Sequence, residues 1–452
     1  MKYVVVGTSH FGYEAVQTLL KQKPEAEIHL YERGDSASFM GWGSQSYVEG
    51  TSHSLDELHF ANEESYRAQG IHIHCNSDVV AIQSDKKTIT VQDTEGEHSV
   101  SYDKLLLSPG GYAVKPPIEG IDLENINTFR GPEDTAAVKE QMEGCQSAVI
   151  IGGGYIGIEV AEAYAQAGIP VTVIDMQDRL LATSLDKEFT DVLEAASKHH
   201  GLDFRPAETV KAFEGEDGKV KAVVTDQATY PADTVILAAG VKADDQWLRG
   251  TLEMDERGFI VTNEYLETSA PDVYAGGDST CVPFAPTHEQ VNISLATIAR
   301  RQGIVAALNA MGQKVKMPEL TGTSALSLFG YNFVSTGLKA ASADQYQGQV
   351  ASRYVEEPLY PDFMRKEGKV AMKIYYDADD HRILGGQLMS KEDITDGITG
   401  LSIAIASGWT LEDLALADIH FMPRFDRPWH YLNVLAMAAL DYKIGGADKL
   451  LF

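Results

Sequence analysis

One pattern occurs twice in this sequence and constrains the fold more than any other feature: strand, glycine-rich turn, helix, strand. The stronger copy is "SAVIIGGGYIGIEVAEAYAQAGIPVTVID", where Gly152, Gly154 and Gly157 have the spacing G-x-G-x-x-G. Glycines in such a turn let the backbone approach a pyrophosphate, and the following helix faces it with free N–H groups and its positive dipole end. The segment therefore predicts a dinucleotide-binding fold.

A weaker copy of the same pattern lies near residue 1. "KYVVVG" is an apolar run typical of a buried strand, and it leads into a turn with Gly7 and Gly12 at its ends. Ser9 stands where the fingerprint has its middle glycine, residues 13–22 have apolar side chains at helical spacing, and the next strand ends at Glu32. Two dinucleotide-binding folds predict two dinucleotides, and we expect one of them to be FAD.

The acid at the end of each second strand indicates how the nucleotide ribose is held. A carboxylate at this place accepts hydrogen bonds from a ribose diol, which is the role expected of Glu32. Asp175 suits a free 2′-hydroxyl and would repel a 2′-phosphate, so the sequence favours NADH over NADPH. Arg179 lies four residues later, and its positive charge weakens this preference.

Three further segments are expected close to a flavin. Residues 102–111 predict a strand that ends in a tight turn, where the chain can cross between domains. Residues 270–280 predict a strand followed by Gly277 and Asp278, and the Asp278 carboxylate is well placed to hold a ribityl chain. Residues 292–312 predict a helix whose N-terminal end faces the flavin pyrimidine and favours negative charge there, which stabilises reduced flavin.

The character of the sequence changes from about residue 319. Residues 369–390 read as two β-rich runs around an Asp/His turn and predict a hairpin. Residues 393–415 predict a helix, a glycine stop and a second helix capped near Thr410. Residues 421–440 are aromatic at first and then apolar at helical spacing.

Composition excludes several classes of function. The 452 residues, 44% hydrophobic and 23% charged, suit a globular protein of two or three domains. A net charge of -29 argues against nucleic acid and against an anionic membrane surface, and no apolar run is long enough to span a bilayer. Three scattered cysteines without Cys-x-x-Cys argue against a disulfide scaffold, a metal site and a redox dithiol. Without a signal-peptide layout, the cytoplasm is the expected compartment.

The motifs "GTSHFGYEAV", "SPGG", "IIGGGYIGIEVAEAYAQAG", "DVYAGGDST", "ILGGQLMSKEDI" and "FDRPWHYLNVLAMAA" carry a resemblance over essentially the full length. The chain resembles the NADH oxidase, NADH peroxidase and coenzyme A-disulfide reductase group of FAD-dependent pyridine nucleotide oxidoreductases. This implies an α/β fold with two Rossmann-like dinucleotide-binding domains, for FAD and NAD, plus an α+β C-terminal dimerisation domain. The expected boundaries are 1–112 and 247–318 for the FAD-binding domain, 113–246 for the NAD-binding domain and 319–452 for the interface domain of a homodimer or homotetramer.

The resemblance also implies roles for single positions. Relatives hold FAD at positions that match Gly7, Ser9, Gly12, Glu32, Ser108, Gly110, Asp278, Ala296 and Thr297. They hold NADH at positions that match Gly152, Gly154, Tyr155, Ile156, Gly157, Glu159, Asp175 and Gly240. Tyr155 matches an aromatic that covers the nicotinamide pocket, Glu159 matches a carboxylate that orients the nicotinamide amide, and His10 matches a histidine close to a redox cysteine.

The sequence departs from these relatives at the redox cysteine itself. They read roughly Ser-Phe-x-x-Cys-Gly where this chain reads "SFMGWG", which puts Trp42 at the cysteine position. Reduction of peroxide or of coenzyme A disulfide needs a thiolate, and an indole has no comparable two-electron cycle. Trp42 is interpreted either as a wall that stacks near the flavin and excludes bulky acceptors or as a space-filling side chain. His10 either protonates a nascent peroxide or only shapes the FAD turn.

The remaining cysteines are poor substitutes for the absent thiol. Cys75 falls in an apolar strand, Cys145 in a linker before the second dinucleotide fold, and Cys281 three residues after Asp278. Cys281 alone is expected near the flavin, on its ribityl side.

Three functions follow from these observations. The first is an NADH oxidase that passes hydride to FAD and then two electrons to oxygen, with hydrogen peroxide as product. The second is an NADH-dependent reductase of a quinone or another small organic acceptor. The third is a flavoprotein kept for binding or redox sensing, with little turnover.

Overall fold

The computed structural model describes residues 1–243 and 246–442. Two five-stranded parallel sheets are followed by one five-stranded antiparallel sheet, and helices lie against all three. This confirms the predicted α/β class with two Rossmann-like units and a C-terminal α+β unit. Residues 443–452, the end of the predicted interface domain, lie outside the described residues, and the three domain boundaries stay predictions.

The first parallel sheet joins the N-terminal residues to a strand from much later in the chain. Its strands, in spatial order, are Val273–Ala275 (β18), Lys104–Leu107 (β7), Lys2–Val6 (β1), Glu27–Tyr31 (β2) and His72–His74 (β3). The apolar run of β1 is buried because it lies between β2 and β7. Since the carboxyl ends of parallel strands share one edge, the turn after β1, Glu32 and Ser108 meet there.

The second parallel sheet repeats this arrangement. Its strands, in spatial order, are Leu202–Arg205 (β12), Val171–Ile174 (β11), Ala148–Ile151 (β10), Thr234–Leu237 (β16) and Ile126–Thr128 (β9). The turn after β10 carries the full fingerprint, and Asp175 follows β11 directly. Both glycine turns therefore lie at the carboxyl edge of a central strand.

Short strands form smaller sheets beside these two. They are Asp78–Gln83 (β4), Thr88–Asp93 (β5), Gly96–Ser101 (β6), Gly111–Ala113 (β8), Val210–Glu216 (β13), Lys219–Thr225 (β14), Thr229–Pro231 (β15), Val241–Ala243 (β17), Val282–Pro283 (β19) and Gln290–Val291 (β20). Strands β4 to β6 form one sheet and β13 to β15 another, while β8 pairs with β17 and β19 with β20. The β8–β17 pair connects the two places where the chain crosses between the parallel sheets.

Ten α-helices cover the sheets of the described ranges. They are His10–Gln22 (α1), Ser44–Glu49 (α2), Glu63–Ala68 (α3), Pro132–Glu140 (α4), Tyr155–Gln166 (α5), Lys187–His199 (α6), Ala296–Ala310 (α7), Thr395–Ala406 (α8), Leu411–Ala415 (α9) and Tyr431–Ala439 (α10). Short 3-10 helices span Gly41–Gly43, Leu55–Leu58, Gln246–Leu248, Gly277–Ser279, Ala340–Gln345 and Asp362–Met364. No helix in the described parts of the chain is long and apolar enough to span a bilayer.

The C-terminal sheet has the spatial order Ser324–Leu328 (β21), Tyr331–Gly337 (β22), Ile383–Ser390 (β25), Lys369–Asp377 (β24) and Val350–Pro358 (β23). The hairpin predicted over residues 369–390 is confirmed, because β24 and β25 pair in antiparallel register. The predicted cap near Thr410 is also confirmed. The Thr410 hydroxyl accepts a hydrogen bond from the Asp413 N–H, at 3.3 Å.

Two predicted helices begin at other residues than expected. Helix α1 starts at His10, so Gly12 lies inside its first turn rather than at the end of a loop. Helix α7 starts at Ala296 rather than at residue 292. Residues 292–295 are not helical: Asn292 Nδ2 donates to the carbonyls of Asp278 and Thr280, at 3.0 and 2.8 Å, and Leu295 has β-region dihedral angles.

Helices α1 and α7 approach one another closely. A Cβ atom built on Gly303 would lie 2.3 Å from the carbonyl oxygen of Phe11, so only glycine allows this separation. The close approach brings Arg300 of α7 beside the first turn of α1, where it contacts His10.

A buried aspartate joins the second parallel sheet unit to the C-terminal sheet. Asp186 is 1% exposed and precedes α6. Its carboxylate accepts hydrogen bonds from the Ala340 N–H, at 3.0 Å, and from the Tyr375 hydroxyl, and Lys373 lies 3.2 Å away. Its own N–H donates to Gln387 Oε1 at 2.9 Å. Because the side-chain partners Lys373, Tyr375 and Gln387 are buried, this contact fixes the two units against each other.

Candidate active site

The first glycine turn closes tightly on the neighbouring strand ends. Gly7 has φ +91°, and a Cβ atom there would lie 2.2 Å from the Ser108 carbonyl oxygen. A Cβ atom on Gly12 would lie 1.9 Å from the Gly7 carbonyl oxygen. Both positions need glycine for steric reasons, and this places the N-terminus of α1 directly at the turn.

Ser9 is compatible with the fingerprint although it replaces a glycine. It has φ −72° and ψ −154° and precedes the first residue of α1. The equivalent Gly154 has φ −78° and ψ −174°, and a Cβ atom built there meets nothing within 4 Å. A serine side chain therefore fits at this position of the turn.

Glu32 stabilises the first turn through a chain of hydrogen bonds that becomes buried at Ser38. Its Oε2 accepts from the Thr8 N–H at 3.3 Å and from the Thr8 hydroxyl at 2.5 Å, and its Oε1 accepts from the Gly34 N–H at 3.0 Å. Thr8 Oγ1 also accepts from the Ser38 N–H at 2.9 Å, and the Ser38 hydroxyl contacts Tyr66 at 2.7 Å. Ser38 has φ +59°, a left-handed conformation that these bonds hold in place.

The second turn has the same backbone and fewer side-chain contacts. Gly152 has φ +109° and a Cβ atom at this residue would lie 2.4 Å from the Ala238 carbonyl oxygen, while Gly157 packs on the Gly152 carbonyl. Asp175 Oδ2 accepts from the Gly153 N–H at 2.5 Å, and Oδ1 accepts from the Gln177 N–H at 2.8 Å. Asp175 thus lies where Glu32 lies in the first fold.

The Arg179 guanidinium is held by residues close to it in sequence. Its guanidinium pairs with Asp178 at 3.0 Å and donates to the Ala182 carbonyl at 2.9 Å. The positive charge near Asp175 is therefore engaged by a neighbouring carboxylate, which leaves Asp175 as the group that would meet a 2′-phosphate.

The other residues predicted to hold NADH lie around α5. Tyr155 and Ile156 begin the helix, and the Tyr155 hydroxyl lies 3.3 Å from that of Ser324. Glu159 lines a cavity of about 480 Å³ together with Glu49 and Glu162. Burial, and then the charges of Glu49 and Glu162, raise the pKa of Glu159 to about 7. Glu159 therefore shares its surroundings with two acids, a crowding that the sequence did not indicate.

Gly240 follows β16 with φ +103°, and no heavy atom lies within 4 Å of a Cβ atom built there. Its carbonyl accepts from the Val114 N–H at 2.9 Å, next to the crossing strands β8 and β17. This puts Gly240 at an open turn beside the carboxyl edge of the second sheet.

The strand ends of the first sheet gather the remaining residues predicted to hold FAD. Ser108 and Gly110 follow β7, and Gly110 has φ +74°. Asp278 lies in the 3-10 helix after β18 and pairs with Arg130 at 2.8 Å. Arg130 also donates to the Gly111 carbonyl at 2.7 Å, so one guanidinium connects Asp278 to the crossing segment.

Helices α1, α5 and α7 begin without a capping side chain. No side-chain hydrogen bond caps Ser9, Gly154 or Leu295, which leaves the first N–H groups of each helix for another acceptor. Ala296 and Thr297 supply these groups in α7. Uncapped helix starts beside glycine turns and a carboxylate form a donor set that fits a pyrophosphate and a ribose diol, so the residues present fit FAD at the first turn and NADH at the second.

Trp42 projects from a tight turn beside these groups. It lies in the 3-10 helix Gly41–Gly43 and its side chain is 65% exposed. Cβ atoms on the flanking glycines would lie 3.3 Å from the Arg130 carbonyl oxygen, at Gly41, and 2.8 Å from Leu58, at Gly43. The turn is packed by its neighbours while the indole is largely uncovered by the described residues, and both interpretations of Trp42 stay predictions.

His10 connects Trp42 to α7. Trp42 Nε1 lies 3.1 Å from His10 Nε2, and Arg300 Nε lies 3.3 Å from His10 Nδ1, so an N–H donor faces each ring nitrogen. Burial, and then the Arg300 charge, lower the pKa of His10 to about 4, against an opposing effect of Asp278. At neutral pH the His10 imidazole is therefore uncharged.

The family of the chain follows from its matches to known proteins. Residues 1–303 match the family described as pyridine nucleotide-disulphide oxidoreductase, and residues 324–431 match the dimerisation domain of the same family. The chain belongs to the pyridine nucleotide-disulphide oxidoreductase family. It is an FAD-dependent NAD(P)H oxidoreductase, with FAD and NADH as its expected cofactor and substrate.

Individual relatives of this pyridine nucleotide-disulphide oxidoreductase extend over its whole length. An NADH oxidase of Enterococcus faecalis is 40% identical over 98% of this chain and 100% of its own length. A CoA-dependent NAD(P)H sulfur oxidoreductase of Pyrococcus abyssi is 32% identical over 96% of this chain and 97% of its own. The solved structure of a water-forming NADH oxidase from Lactobacillus brevis, bound to NADH, has a TM-score of 0.94 and 37% identity, and the match covers 98% of each chain. The NADH oxidase relatives support NADH-dependent flavoprotein oxidase activity.

All three thiols of this oxidoreductase resist ionisation. Burial raises the pKa of Cys75 to about 12 and also raises that of Cys145. Burial raises the pKa of Cys281 to about 11, although Arg257 donates to its sulfur at 3.1 Å. Thiolates are the reactive form, so none of these cysteines has the surroundings of a redox thiol.

Sequence reasoning missed Arg130, Arg300 and Thr8. Arg130 contacts Asp278, 148 residues away, and Arg300 contacts His10, 290 residues away. No local sequence pattern predicts such distant partners. Thr8 lies at a position of the first fingerprint where any residue type is allowed. The one feature that could have indicated its role is a hydroxyl group next to the turn. Within the described ranges, no group of three or more His, Cys, Asp or Glu residues is arranged to hold a metal ion.

Proposed function

We propose that this protein is an NADH oxidase that forms hydrogen peroxide: NADH + H⁺ + O₂ → NAD⁺ + H₂O₂. The observation that carries the proposal is Trp42, which stands where the resemblance places the redox cysteine. Full reduction of oxygen to water would need a second pair of electrons delivered to peroxide, and a thiolate is the group that delivers it. The raised pKa values of Cys75, Cys145 and Cys281 leave no obvious substitute.

The first glycine turn is the proposed FAD site. FAD, when bound, takes a hydride from NADH and passes two electrons to the acceptor. The first N–H groups of α1 bind the pyrophosphate, Glu32 accepts from the adenosine ribose, and Asp278 accepts from the ribityl chain. Ala296 and Thr297 direct the N-terminus of α7 at the flavin pyrimidine and favour negative charge there.

The second turn is the proposed NADH site. The first N–H groups of α5 bind the pyrophosphate, Asp175 accepts from the ribose diol, and Tyr155 covers the nicotinamide. Glu159 orients the carboxamide. Because Arg179 is engaged by Asp178 and the Ala182 carbonyl, we infer that Asp175 sets a preference for NADH over NADPH.

The C-terminal unit is the proposed interface of a homodimer or homotetramer. The matched dimerisation domain supports self-association. Exposed apolar side chains such as Leu416 (71%) and Phe425 (67%) lie within the matched residues 324–431. Free cysteines suit a reducing compartment, which keeps the cytoplasm as our expected location.

The product of NADH oxidation in air tests this proposal. We expect about one hydrogen peroxide per NADH consumed, no consumption of added peroxide, and anaerobic reduction by one NADH per FAD. The measurement is NADH loss at 340 nm with peroxide trapped at the end of the reaction. Water as the main product would overturn the proposal and direct attention to Cys281.

Two further outcomes would favour the other functions. Oxygen turnover far slower than flavin reduction by NADH, together with fast turnover on a quinone under argon, would identify a reductase of organic acceptors. Slow or absent flavin bleaching by NADH would identify a binding or sensing protein. In a reductase of organic acceptors, the exposed indole of Trp42 would line the acceptor pocket rather than an oxygen site.

A further inference from the structure

The imidazole of His10 lies between two N–H donors. The Trp42 Nε1–H points at Nε2 over 3.1 Å, and the Arg300 Nε–H points at Nδ1 over 3.3 Å. A neutral imidazole has one acceptor nitrogen and one N–H, and an imidazolium has no acceptor. His10 can therefore accept only one of the two hydrogen bonds at a time.

Of the two donors, Arg300 forms the stronger hydrogen bond to the single acceptor nitrogen of His10. Hydrogen bonds from a charged donor are roughly twice as strong as neutral ones. The Arg300 guanidinium is also fixed in place, because it pairs with Glu14 at 2.6 Å and lies 5.0 Å from the ring centre of Phe60. The indole of Trp42 is 65% exposed and has more freedom to turn. We therefore assign the acceptor to Nδ1 and the hydrogen to Nε2.

This tautomer leaves two donors without an acceptor between them. The His10 Nε2–H and the Trp42 Nε1–H belong to nitrogens only 3.1 Å apart. A single acceptor atom beside this pair takes both hydrogens after a small rotation of the indole. Two N–H groups that converge on one oxygen are the usual protein arrangement for a small oxyanion.

The charges around the pair are compatible with an anion. Arg300 lies on the far side of the His10 ring and contributes a positive charge at short range. Two carboxylates of this neighbourhood are already paired, Glu14 with Arg300 and Asp278 with Arg130. Because His10 is neutral, its contribution is a directed N–H and not a charge.

We propose that His10 and Trp42 form a two-donor site for a small anion, and that in turnover this site holds reduced dioxygen, as superoxide or hydroperoxide. Arg300 is a positioning residue, because it acts only through the tautomer of His10. The inference rests on the proposed oxidase function and deepens it, since it gives the indole of Trp42 a task that a thiol could not perform.

Azide binding to the FAD-loaded protein tests the donor pair without turnover. Sodium azide is titrated at constant ionic strength, and flavin absorbance and tryptophan fluorescence are followed. Trp42→Phe keeps an aromatic ring and removes the N–H, so we expect its azide affinity to be at least about tenfold weaker. Trp409→Phe is the matched control, because Trp409 is 37% exposed but lies between α8 and α9 in the C-terminal unit, and its azide affinity should equal that of the unchanged protein.

Arg300→Lys tests the tautomer separately. Lysine keeps the positive charge but has a methylene where Arg300 has its Nε–H, and its ammonium lies one bond further along the side chain. The hydrogen bond to Nδ1 is then lost in its present geometry, His10 can turn its lone pair back to Trp42, and azide affinity should fall several-fold. Equal azide affinity in Trp42→Phe and the unchanged protein would overturn the donor pair. An affinity that falls in Trp42→Phe but stays constant in Arg300→Lys would overturn the assigned tautomer.

Oxygen kinetics separate reduced dioxygen from an inorganic anion. We expect azide to compete with oxygen and not with NADH, and Trp42→Phe to slow reoxidation by oxygen while anaerobic reduction by NADH stays unchanged. Weaker azide binding with unchanged reoxidation would mark a site for inorganic anions only and overturn the assignment to reduced dioxygen. Peroxide yield is measured independently, so water as product would defeat the oxidase proposal while the azide result still decides the donor pair.

Discussion

At the first nucleotide turn, the hydroxyl of Thr8 connects Glu32 to the loop that carries Trp42, through Ser38. At the second turn, the corresponding residue is Gly153, which offers Asp175 only its backbone N–H. The first and last glycines, the strand order and the helix start agree between the two folds, and only the middle position differs, with Ser9 in the first and Gly154 in the second. The two turns therefore differ in the side chains that hold them and hardly at all in their backbone.

This difference corresponds to the two kinds of nucleotide that we assign. A resident cofactor benefits from a turn that is fixed by buried side-chain hydrogen bonds, because its slow dissociation depends on a preorganised site. A substrate that leaves after every hydride transfer needs a turn that binds it less tightly. The hydrogen bonds between Thr8 and Ser38 also connect the first glycine turn to the loop that carries Trp42. The hydrogen bond described for Gly153, in contrast, connects the second turn only to Asp175 of the same fold.

Alanine at the first glycine of each turn should have the largest effect and separate the two sites. Gly7→Ala and Gly152→Ala each place a Cβ atom 2.2–2.4 Å from a carbonyl oxygen at positive φ, at a cost of more than about 2 kcal/mol in the free energy of unfolding. Gly7→Ala should be purified without FAD. Gly152→Ala should stay yellow, with flavin reduction by NADH at least about 100-fold slower in stopped flow. Loss of FAD from both variants would break the comparison.

Thr8→Ala should weaken FAD retention by removing the side-chain brace. The change leaves the Ser38 N–H without its acceptor and removes one donor from Glu32, at a cost of about 1–3 kcal/mol. FAD release in mild denaturant, followed by flavin fluorescence, should begin at lower denaturant concentration. Thr8→Ser keeps the hydroxyl and should behave like the unchanged protein, and identical release from both variants would contradict the assigned role.

Asp175→Ala should reduce the preference for NADH over NADPH. Loss of the carboxylate removes a ribose acceptor and the repulsion of a 2′-phosphate, so the selectivity in kcat/KM should fall by about tenfold to a hundredfold, or about 1–3 kcal/mol. Arg179→Ala should change the same ratio by less than about threefold, because its guanidinium is held by Asp178 and the Ala182 carbonyl. A larger effect of Arg179→Ala would show that this arginine governs the site.

The smallest effect is expected from pH at the second site. The pKa of Glu159 is raised to about 7, so the folded protein binds a proton there that the unfolded chain releases near pH 4.5. Stability from this group is complete below pH 4.5 and is lost as the pH rises to about 7. Glu159→Gln should therefore gain stability relative to the unchanged protein between about pH 5 and pH 8, on the order of 1 kcal/mol. A difference in Tm that does not vary with pH would exclude the raised pKa.

The sequence predicts those parts of the molecule whose cause is local. The two turns follow from glycine spacing, and Glu32 and Asp175 follow from their place after a second strand. The cap at Thr410 follows from a carboxylate three residues later. The start of α7 could not be predicted, because Asn292 is held by the carbonyls of Asp278 and Thr280, which precede it by 14 and 12 residues.

The sequence predicts His10 and Trp42 as residues of the candidate site, but it does not predict their contacts. His10 and Trp42 were expected near one another, but the short distance between the indole Nε1 and the imidazole Nε2 depends on how a 3-10 turn is packed between the Arg130 carbonyl and Leu58. Arg300 reaches His10 only because Gly303 lets α7 approach α1. Such contacts require the assembled sheet, and no pattern within either segment encodes them.

Asp186 has a consequence for recombining this protein with its relatives. Its backbone and carboxylate join the unit around the second sheet to Gln387, Lys373 and Tyr375 of the C-terminal sheet. A chimaera that takes its nicotinamide-binding half from this protein and its C-terminal half from a parent without Lys373, Tyr375 or Gln387 would bury this acid opposite unmatched side chains. Crossover points in such a chimaera should therefore not separate the second-sheet unit from the C-terminal sheet. These two units are best exchanged together, although their folds differ.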